Sequence, residues 1–185
     1  MMPAQPVEPA LAPVLETSRL RLRGFRADDF ANWFAFSRVP AYYRYFGNEP
    51  MPAEEVWKLV LRSAGHWVIM GHGFWAVEEK AIGRFIGAVG FLHLLRAIEP
   101  PLGDAPEIGW VLDPAVHGRG YASEAVAAVL AWGANHFGPV RTVCIIHPDN
   151  EPSLRLAAKF GYREYARVTY HAAPIVLLER PGGQG

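Results

Sequence analysis

The sequence predicts an α/β fold built around one mixed sheet. In some places a short turn joins neighbouring strand-like runs, as at the hairpin candidate Glu79-Lys80. In others a helix joins them, as between residues 107–112 and 140–146, which is the crossover that parallel strands need. The 185 residues are 51% hydrophobic and 19% charged, which suits a single globular domain with a sizeable core.

The first half of the chain is predicted to hold a strand, two helices and a hairpin. Leu20 and Leu22 alternate with arginines, as in a strand with one solvated face. Acidic residues at 28 and 29 suit the first turn of a helix, and Pro52 introduces a second, longer helix. In order, we expect a strand at 20–22, helices at 28–37 and 53–70, and strands at 73–77 and 83–94.

The second half is predicted to alternate strands and helices and to end in two strands. Pro114 ends a strand, and apolar residues then recur every three or four positions until Gly138-Pro139. The β-branched run at 140–146 lacks alternation, as expected for a strand buried on both faces. In order, we expect a strand at 107–112, a helix at 121–137, a strand at 140–146, a helix at 152–160 and strands at 162–170 and 175–179.

Composition narrows the function classes. Lys and Arg total 18, as do Asp and Glu, so the zero net charge argues against a nucleic-acid binder with a broad basic face. The seven histidines show no paired metal-ligand spacing, so we expect no metal. The one cysteine, Cys144, lies in an apolar run, which predicts a buried small hydrophobe and a reducing, cytoplasmic setting.

The domain is predicted to span residues 15–181. Residues 1–14 are rich in Pro and Ala without a positively charged region, so we expect a flexible tail and not a secretory signal. Residues 182–185 are expected to form a second flexible tail. The longest near-apolar stretch is about ten residues, about half of what a membrane-spanning helix needs, so we expect no membrane span.

The most informative segment is the glycine turn between the strand at 107–112 and the helix that begins near Tyr121. Gly118 and Gly120 allow a sharp turn and leave no Cβ between the backbone amides and a ligand. The first N–H groups of the helix have no intrahelical acceptor, so an anion can bind there. A bare Gly-Arg-Gly is equally compatible with an ordinary connection, and its surroundings decide between the two.

Together with its surroundings, the turn resembles the GNAT superfamily of acetyl-CoA-dependent N-acetyltransferases. The resemblance is carried by Glu107-Ile108-Gly109-Trp110, by residues 117–122, by Asn150-Glu151-Pro152-Ser153 and by Lys159-Phe160-Gly161-Tyr162. The opening segment Glu16–Arg23 is similar to the ribosomal-protein N-terminal acetyltransferase (RimJ/RimL-like) branch. The resemblance implies a single-domain fold with a mixed, mostly antiparallel sheet of about seven strands, about four flanking helices, and two parallel strands that splay apart at the coenzyme site.

The resemblance also implies a coenzyme site. His117 stands where the family usually has Gln or Arg, while Gly120 and Ala122 match the last two fixed positions of its phosphate signature. The arm of acetyl-CoA would pair with the backbone of the preceding strand, where one amide would stabilise the oxyanion, and Asn150 would bind the arm. The implied coenzyme-binding residues are Trp110, Val111, Leu112, His117, Gly118, Arg119, Gly120, Tyr121, Ala122, Ser123, Asn150 and Ser153.

The chemistry requires a neutral amine, so a base must take a proton before the thioester is attacked. Glu107 is the candidate base, acting through water; a salt-bridged carboxylate at a strand end is the alternative. Ser153 is the candidate acid for the departing thiolate, since the tyrosine that many relatives carry beyond the asparagine is missing; helix capping is its alternative role. Asn150 could likewise serve only the turn.

The acceptor is the least visible part of the sequence. Tyr42, Tyr43, Tyr45 and Phe46 could wall a substrate pocket or pack in the core. The expected partners are acetyl-CoA and a primary amine, either a protein or peptide N-terminus or a small molecule. A non-catalytic acyl-CoA sensor on the same fold is the alternative function. The apolar final strand, Ile175 to Leu178, could pair between two subunits.

Overall fold

One eight-stranded sheet organises the protein. The computed structural model describes residues 11–183, and the sheet has the order β1-β2-β3-β4-β5-β6-β8-β7. Every pairing within these residues is antiparallel except that of β5 with β6. The strands are β1 (Leu15–Glu16), β2 (Leu20–Arg23), β3 (Phe74–Glu79), β4 (Arg84–Leu92), β5 (Glu107–Leu112), β6 (Thr142–Ile146), β7 (Arg163–Tyr170) and β8 (Ala173–Arg180).

Five α-helices flank the sheet in the described chain. Three precede β3 and two lie among the later strands, with a short 3₁₀ turn at Pro114–Val116 after β5. Their bounds are α1 (Asp29–Ser37), α2 (Pro40–Tyr43), α3 (Ala53–Met70), α4 (Tyr121–Phe137) and α5 (Glu151–Lys159). The predicted fold class is confirmed. The elements beyond the expected counts are the two-residue β1 and the short α2, which lies in the aromatic segment predicted to be a loop.

The core divides into two clusters because neighbouring strand residues point to opposite faces of the sheet. Trp75 and Val77 belong to the cluster that contains the buried residues of α4. Ala76, which lies between them, belongs to the cluster with buried residues of α1 and α3. The sheet is therefore covered on both faces, which leaves its strand ends available for a site.

The chain is already attached to the core ahead of residue 15. The indole nitrogen of Trp75 donates a hydrogen bond of 2.7 Å to the carbonyl of Pro13. Residues 1–10 of the predicted N-terminal tail, and residues 184 and 185 of the predicted C-terminal tail, lie outside the described residues.

The parallel strands β5 and β6 separate shortly after they meet. Within residues 11–183 the two strands pair at one residue pair, Glu107 with Val143, and the Val143 N–H donates a 3.1 Å hydrogen bond to the Pro106 carbonyl. On its other side β5 is paired with β4 along its whole length, from Glu107 to Leu112. The predicted splay is thus present, and it exposes the β6-facing backbone of β5 beyond Glu107.

The expectation that the final strand pairs between subunits is wrong. β8 lies inside the sheet, paired with β6 on one edge and with β7 on the other. Its apolar residues are needed there because the two sheet faces cover it: Val176 and Leu177 are fully buried. The strand at the edge is β7, where exposed charged residues such as Arg163 and Arg167 discourage further pairing.

Candidate active site

The glycine turn forms a set of unpaired backbone donors. Gly118 and Gly120 have φ values of 76° and 79°, in the left-handed region that glycine adopts without strain. Within residues 11–183, none of the N–H groups from Gly118 to Ser123 donates to another backbone group, and the first bond of α4 runs from Glu124 to Gly120. Six consecutive donors at the positive end of a 17-residue helix can surround an anion.

Residues that precede β2 hold this turn in place through hydrogen bonds and an ion pair. The Arg19 guanidinium donates to the Arg119 carbonyl at 2.8 Å and forms a 2.7 Å ion pair with Glu124. Glu124 also accepts from the Thr17 hydroxyl at 2.6 Å, from the Ser18 hydroxyl and from the Arg19 N–H. Burial on its own would raise the pKa of Glu124, but these bonds outweigh it and lower the pKa to about 2. The carboxylate therefore stays ionised and keeps the turn fixed.

Two side chains of the predicted phosphate motif form hydrogen bonds with neighbouring strands of the protein. The Tyr121 hydroxyl donates to Glu79 at 2.6 Å in a buried position, so this residue offers only its backbone to the turn. Nε2 of His117 lies 3.1 Å from the Leu112 carbonyl, which requires the proton on that nitrogen because a carbonyl only accepts. His117 thus ties the turn back to β5, a role that does not need the Gln or Arg usual in the family.

A cavity of about 540 Å³ opens where β5 and β6 separate. Its walls come from α1, α2, α3, the two strands and the β7–β8 turn, so residues from distant parts of the sequence meet there. Eight predicted site residues line it: Glu107, Trp110, Val111, Asn150, Ser153, Tyr42, Tyr45 and Phe46. The residues of the glycine turn lie outside the cavity, in the chain that follows β5.

Asn150 and Ser153 begin α5 at the cavity wall. The Asn150 side chain caps the helix by accepting a 3.3 Å bond from the Ser153 N–H. Asn150 therefore caps α5 through its side-chain oxygen, and the Ser153 hydroxyl makes no capping bond within residues 11–183. The Ser153 hydroxyl oxygen instead accepts a 3.2 Å bond from the Trp110 indole, which leaves the hydroxyl proton available to a ligand.

Glu107 is buried and paired with Arg96. Both carboxylate oxygens accept from the guanidinium, at 2.7 and 2.8 Å, in a bidentate arrangement. The guanidinium in turn lies 5.5 Å from the centroid of the Tyr170 ring. The remaining lone pairs of the carboxylate can still accept from water, so the pair orients Glu107 without removing its capacity to accept a proton.

The four aromatic residues of the predicted substrate wall separate into two groups. Tyr42, Tyr45 and Phe46 line the cavity. Tyr42 is also core, since it is 5% exposed and accepts a 3.0 Å bond from the Trp33 indole, and Tyr45 is fixed by its bond to the Asp149 carbonyl. Tyr43 packs against the core cluster of α1 and α3 and does not line the cavity, because the helical turn of α2 directs neighbouring side chains apart.

Sequence reasoning missed two arginines of the site. Arg96 follows β4 and Arg62 lies on α3, and both line the cavity with Glu107. No local spacing connects them with the strand at 107–112. Cys144 also lines the cavity, and burial followed by the charge of Glu107 raises the pKa of its thiol. It is 2% exposed, as predicted for a small hydrophobe.

Residues 11–183 contain no cluster of three or more His, Cys, Asp or Glu side chains placed to hold a metal ion. None of the helices in this part of the chain has the length and hydropathy needed to cross a membrane.

The fold and this site define an acyltransferase. Residues 19–163 match the family of the acetyltransferase (GNAT) domain, and the chain belongs to that family. GNAT acetyltransferases use acetyl-CoA.

Known proteins resemble the chain along most of its length. A GNAT-family acetyltransferase from Bordetella pertussis is 33% identical, with a TM-score of 0.80 over 91% of this chain and 99% of its own. The uncharacterized N-acetyltransferase YoaA of Bacillus subtilis (strain 168) is 29% identical over 153 residues, which is 82% of this chain and 84% of YoaA. RimL, a ribosomal L7/L12 alpha-N-protein acetyltransferase solved with coenzyme A, has a TM-score of 0.72 at 18% identity, covering 91% of this chain and 98% of its own, which shows the fold alone.

Proposed function

We propose that this protein transfers the acetyl group of acetyl-CoA to an α-amine bound in the cavity between β5 and β6. The observation that carries the proposal is the row of unpaired N–H groups from Gly118 to Ser123, which follows directly on the splayed strand β5. A pyrophosphate bound by these donors would place the rest of the coenzyme along β5. Strand rise is about 3.3 Å per residue, so the six residues of β5 carry the arm roughly 17 Å from Leu112 towards Glu107.

The coenzyme arm is proposed to pair with the backbone of Trp110, Val111 and Leu112. These residues face the gap that opens beyond the pairing of Glu107 with Val143, so their groups on that side lack a strand partner there. The Asn150 side chain uses its oxygen to cap α5, which leaves its amide N–H groups for the arm. One N–H of β5 would stabilise the oxyanion of the attacked thioester.

Proton transfer is proposed to use the two residues that share the cavity with the thioester. Glu107 takes a proton from the amine through water, and the neutral nitrogen forms the C–N bond as the C–S bond breaks. Ser153 gives its proton to the departing sulfur, and the Trp110 indole supports this by occupying a lone pair of the hydroxyl oxygen. That Glu107 and Ser153 line one cavity favours catalysis over the alternative of a non-catalytic acyl-CoA sensor.

The acceptor is proposed to be an α-amine held against Tyr42, Tyr45 and Phe46. The similarity to the ribosomal-protein N-terminal acetyltransferase branch, carried by Asn150, Ser153 and the segment Glu16–Arg23, favours an α-amine over a side-chain amine. An α-ammonium also loses its proton near pH 8, against about 10.4 for a lysine side chain. It therefore needs less help from a carboxylate that is already paired with Arg96.

A thiol-release assay tests the proposed function. Acetyl-CoA is incubated with the wild-type protein and a panel of α-amines, N-terminal peptides and polyamines, and the product is identified by mass spectrometry. We expect free coenzyme A and an acetylated α-amine in equal amounts, with the rate rising with pH as the ammonium is deprotonated. Coenzyme binding without thiol release for any member of the panel would favour the sensor.

A further inference from the structure

The formal charges that line the cavity do not cancel. Three formally charged side chains line it: Arg62, Arg96 and Glu107. Glu107 and Arg96 neutralise each other through their bidentate pair. No carboxylate in residues 11–183 lies within ion-pair distance of Arg62. Among Arg62, Arg96 and Glu107, one positive charge therefore stays unmatched.

The surroundings of Arg62 make an anion favourable there. Arg62 lies three residues after Leu59 on α3, and both residues line the cavity, as expected for side chains at i and i+3 on one helix face. Arg62 is exposed to solvent. Desolvation by neighbouring protein atoms nevertheless lowers the pKa of its guanidinium, followed by repulsion from Arg96 and partly opposed by Glu107. A cation beside a like charge is stabilised by an incoming anion.

The position of the unmatched charge defines where the anion sits on the acceptor. Arg62 and Arg96 line the same cavity as Glu107, the proposed base, and the charges of Arg96 and Glu107 both act on Arg62, so an anion at Arg62 and an amine at Glu107 would share one cavity. Apolar walls of the same cavity include Trp33, Leu59 and Phe74. A molecule that carries an amine and a carboxylate on one carbon, with an apolar side chain, meets these three requirements.

We propose that the acceptor is a free α-amino acid whose carboxylate binds Arg62. This rests on the proposed function and names its substrate class. The planar guanidinium offers parallel N–H donors that match a carboxylate. A peptide N-terminus presents a neutral amide at the same place, and a polyamine presents a second cation to Arg62, so both are disfavoured.

The test compares three acceptors that share one apolar body: L-leucine, L-leucinamide and 3-methylbutylamine. Rates are corrected for the fraction of free amine, because the three pKa values differ. We expect kcat/KM to be higher for leucine than for either analogue by about tenfold or more. Both analogues lack the carboxylate that is proposed to form charged hydrogen bonds with Arg62. Arg62→Gln should raise the KM for leucine by a similar factor and leave the KM for acetyl-CoA unchanged, whereas Arg62→Lys should restore part of the preference. Arg38→Gln, an arginine outside the cavity, is the control.

A second measurement separates this proposal from the proposed function. Calorimetry on the protein saturated with coenzyme A compares N-acetyl-L-leucine with N-acetyl-L-leucinamide. The proposal is supported if N-acetyl-L-leucine binds more tightly than N-acetyl-L-leucinamide and this difference is lost in Arg62→Gln. That support would stand even if no amine of the panel caused thiol release, because an absence of thiol release would count only against the proposed function. Equal binding of the two compounds, or higher kcat/KM for leucinamide or an N-terminal leucyl peptide, would overturn it.

Discussion

Replacing Gly120 by Glu is expected to abolish measurable binding of acetyl-CoA. The new carboxylate would lie among the N–H groups from Gly118 to Ser123, where the pyrophosphate is proposed to bind. Two unit charges about 4 Å apart repel by roughly 4 kcal/mol at an effective dielectric constant of 20, which corresponds to about a thousandfold in affinity. Titration calorimetry measures the effect directly.

Gly71→Glu is the matched control for this substitution. Gly71 ends α3 with φ 69° and ψ 8°, nearly the conformation of Gly120 at 79° and 5°. Neither position has a heavy atom within 3.4 Å of an added Cβ, so the two variants share the backbone strain and the added charge. Gly71→Glu should bind acetyl-CoA as the wild type does. If Gly120→Glu does so too, the phosphate site lies elsewhere.

Replacing Glu107 by Gln is expected to lower kcat by about a hundredfold or more, the usual contribution of a general base. The amide keeps the shape of the carboxylate but cannot take the proton of the acceptor. Because Glu107 lies at the far end of β5 from the glycine turn, the affinity for acetyl-CoA should remain near the wild-type value. Steady-state kinetics and calorimetry on the same preparation check the two halves of the prediction.

Loss of the ion pair with Arg96 is a separate effect of this change. Glu179→Gln controls for it, since Glu179 of β8 accepts a 2.6 Å bond from Arg141 and neither residue lines the cavity. The control should keep its kcat. Wild-type kcat in Glu107→Gln would remove Glu107 as the base and leave it the role of holding Arg96.

Local signals were enough to predict the glycine turn and the strands and α-helices other than β1 and α2. Gly118 and Gly120 specify a left-handed turn within three residues, whereas the roles of Glu107 and Trp110 came from the resemblance to the GNAT family. The placement of β8 between β6 and β7 was not predictable, since hairpin order depends on which sheet edge is open and not on the sequence of the strand. The same holds for the neighbouring tyrosines, where one turn of α2 sends Tyr42 to the cavity and Tyr43 to the core.

The charged part of the site depends on contacts that are remote in sequence. Arg96 reaches Glu107 across 11 positions of irregular chain, and Arg62 reaches the cavity from α3. In the sequence each arginine looks like a solvated charge, because the spacing that joins it to the strand exists only after the sheet has formed. A salt-bridged Glu107 was one of the two alternatives that the sequence left open, and the ion pair is present.

Amide hydrogen exchange at the glycine turn shows whether the coenzyme binds there. We expect acetyl-CoA to slow exchange of the backbone N–H groups from Gly118 to Ser123 and of Trp110 to Leu112, while the edge strand β7, Arg163–Tyr170, is unaffected. If calorimetry shows the coenzyme bound and exchange of the 118–123 amides is unchanged, the coenzyme does not bind at the end of β5 and the proposed site is wrong.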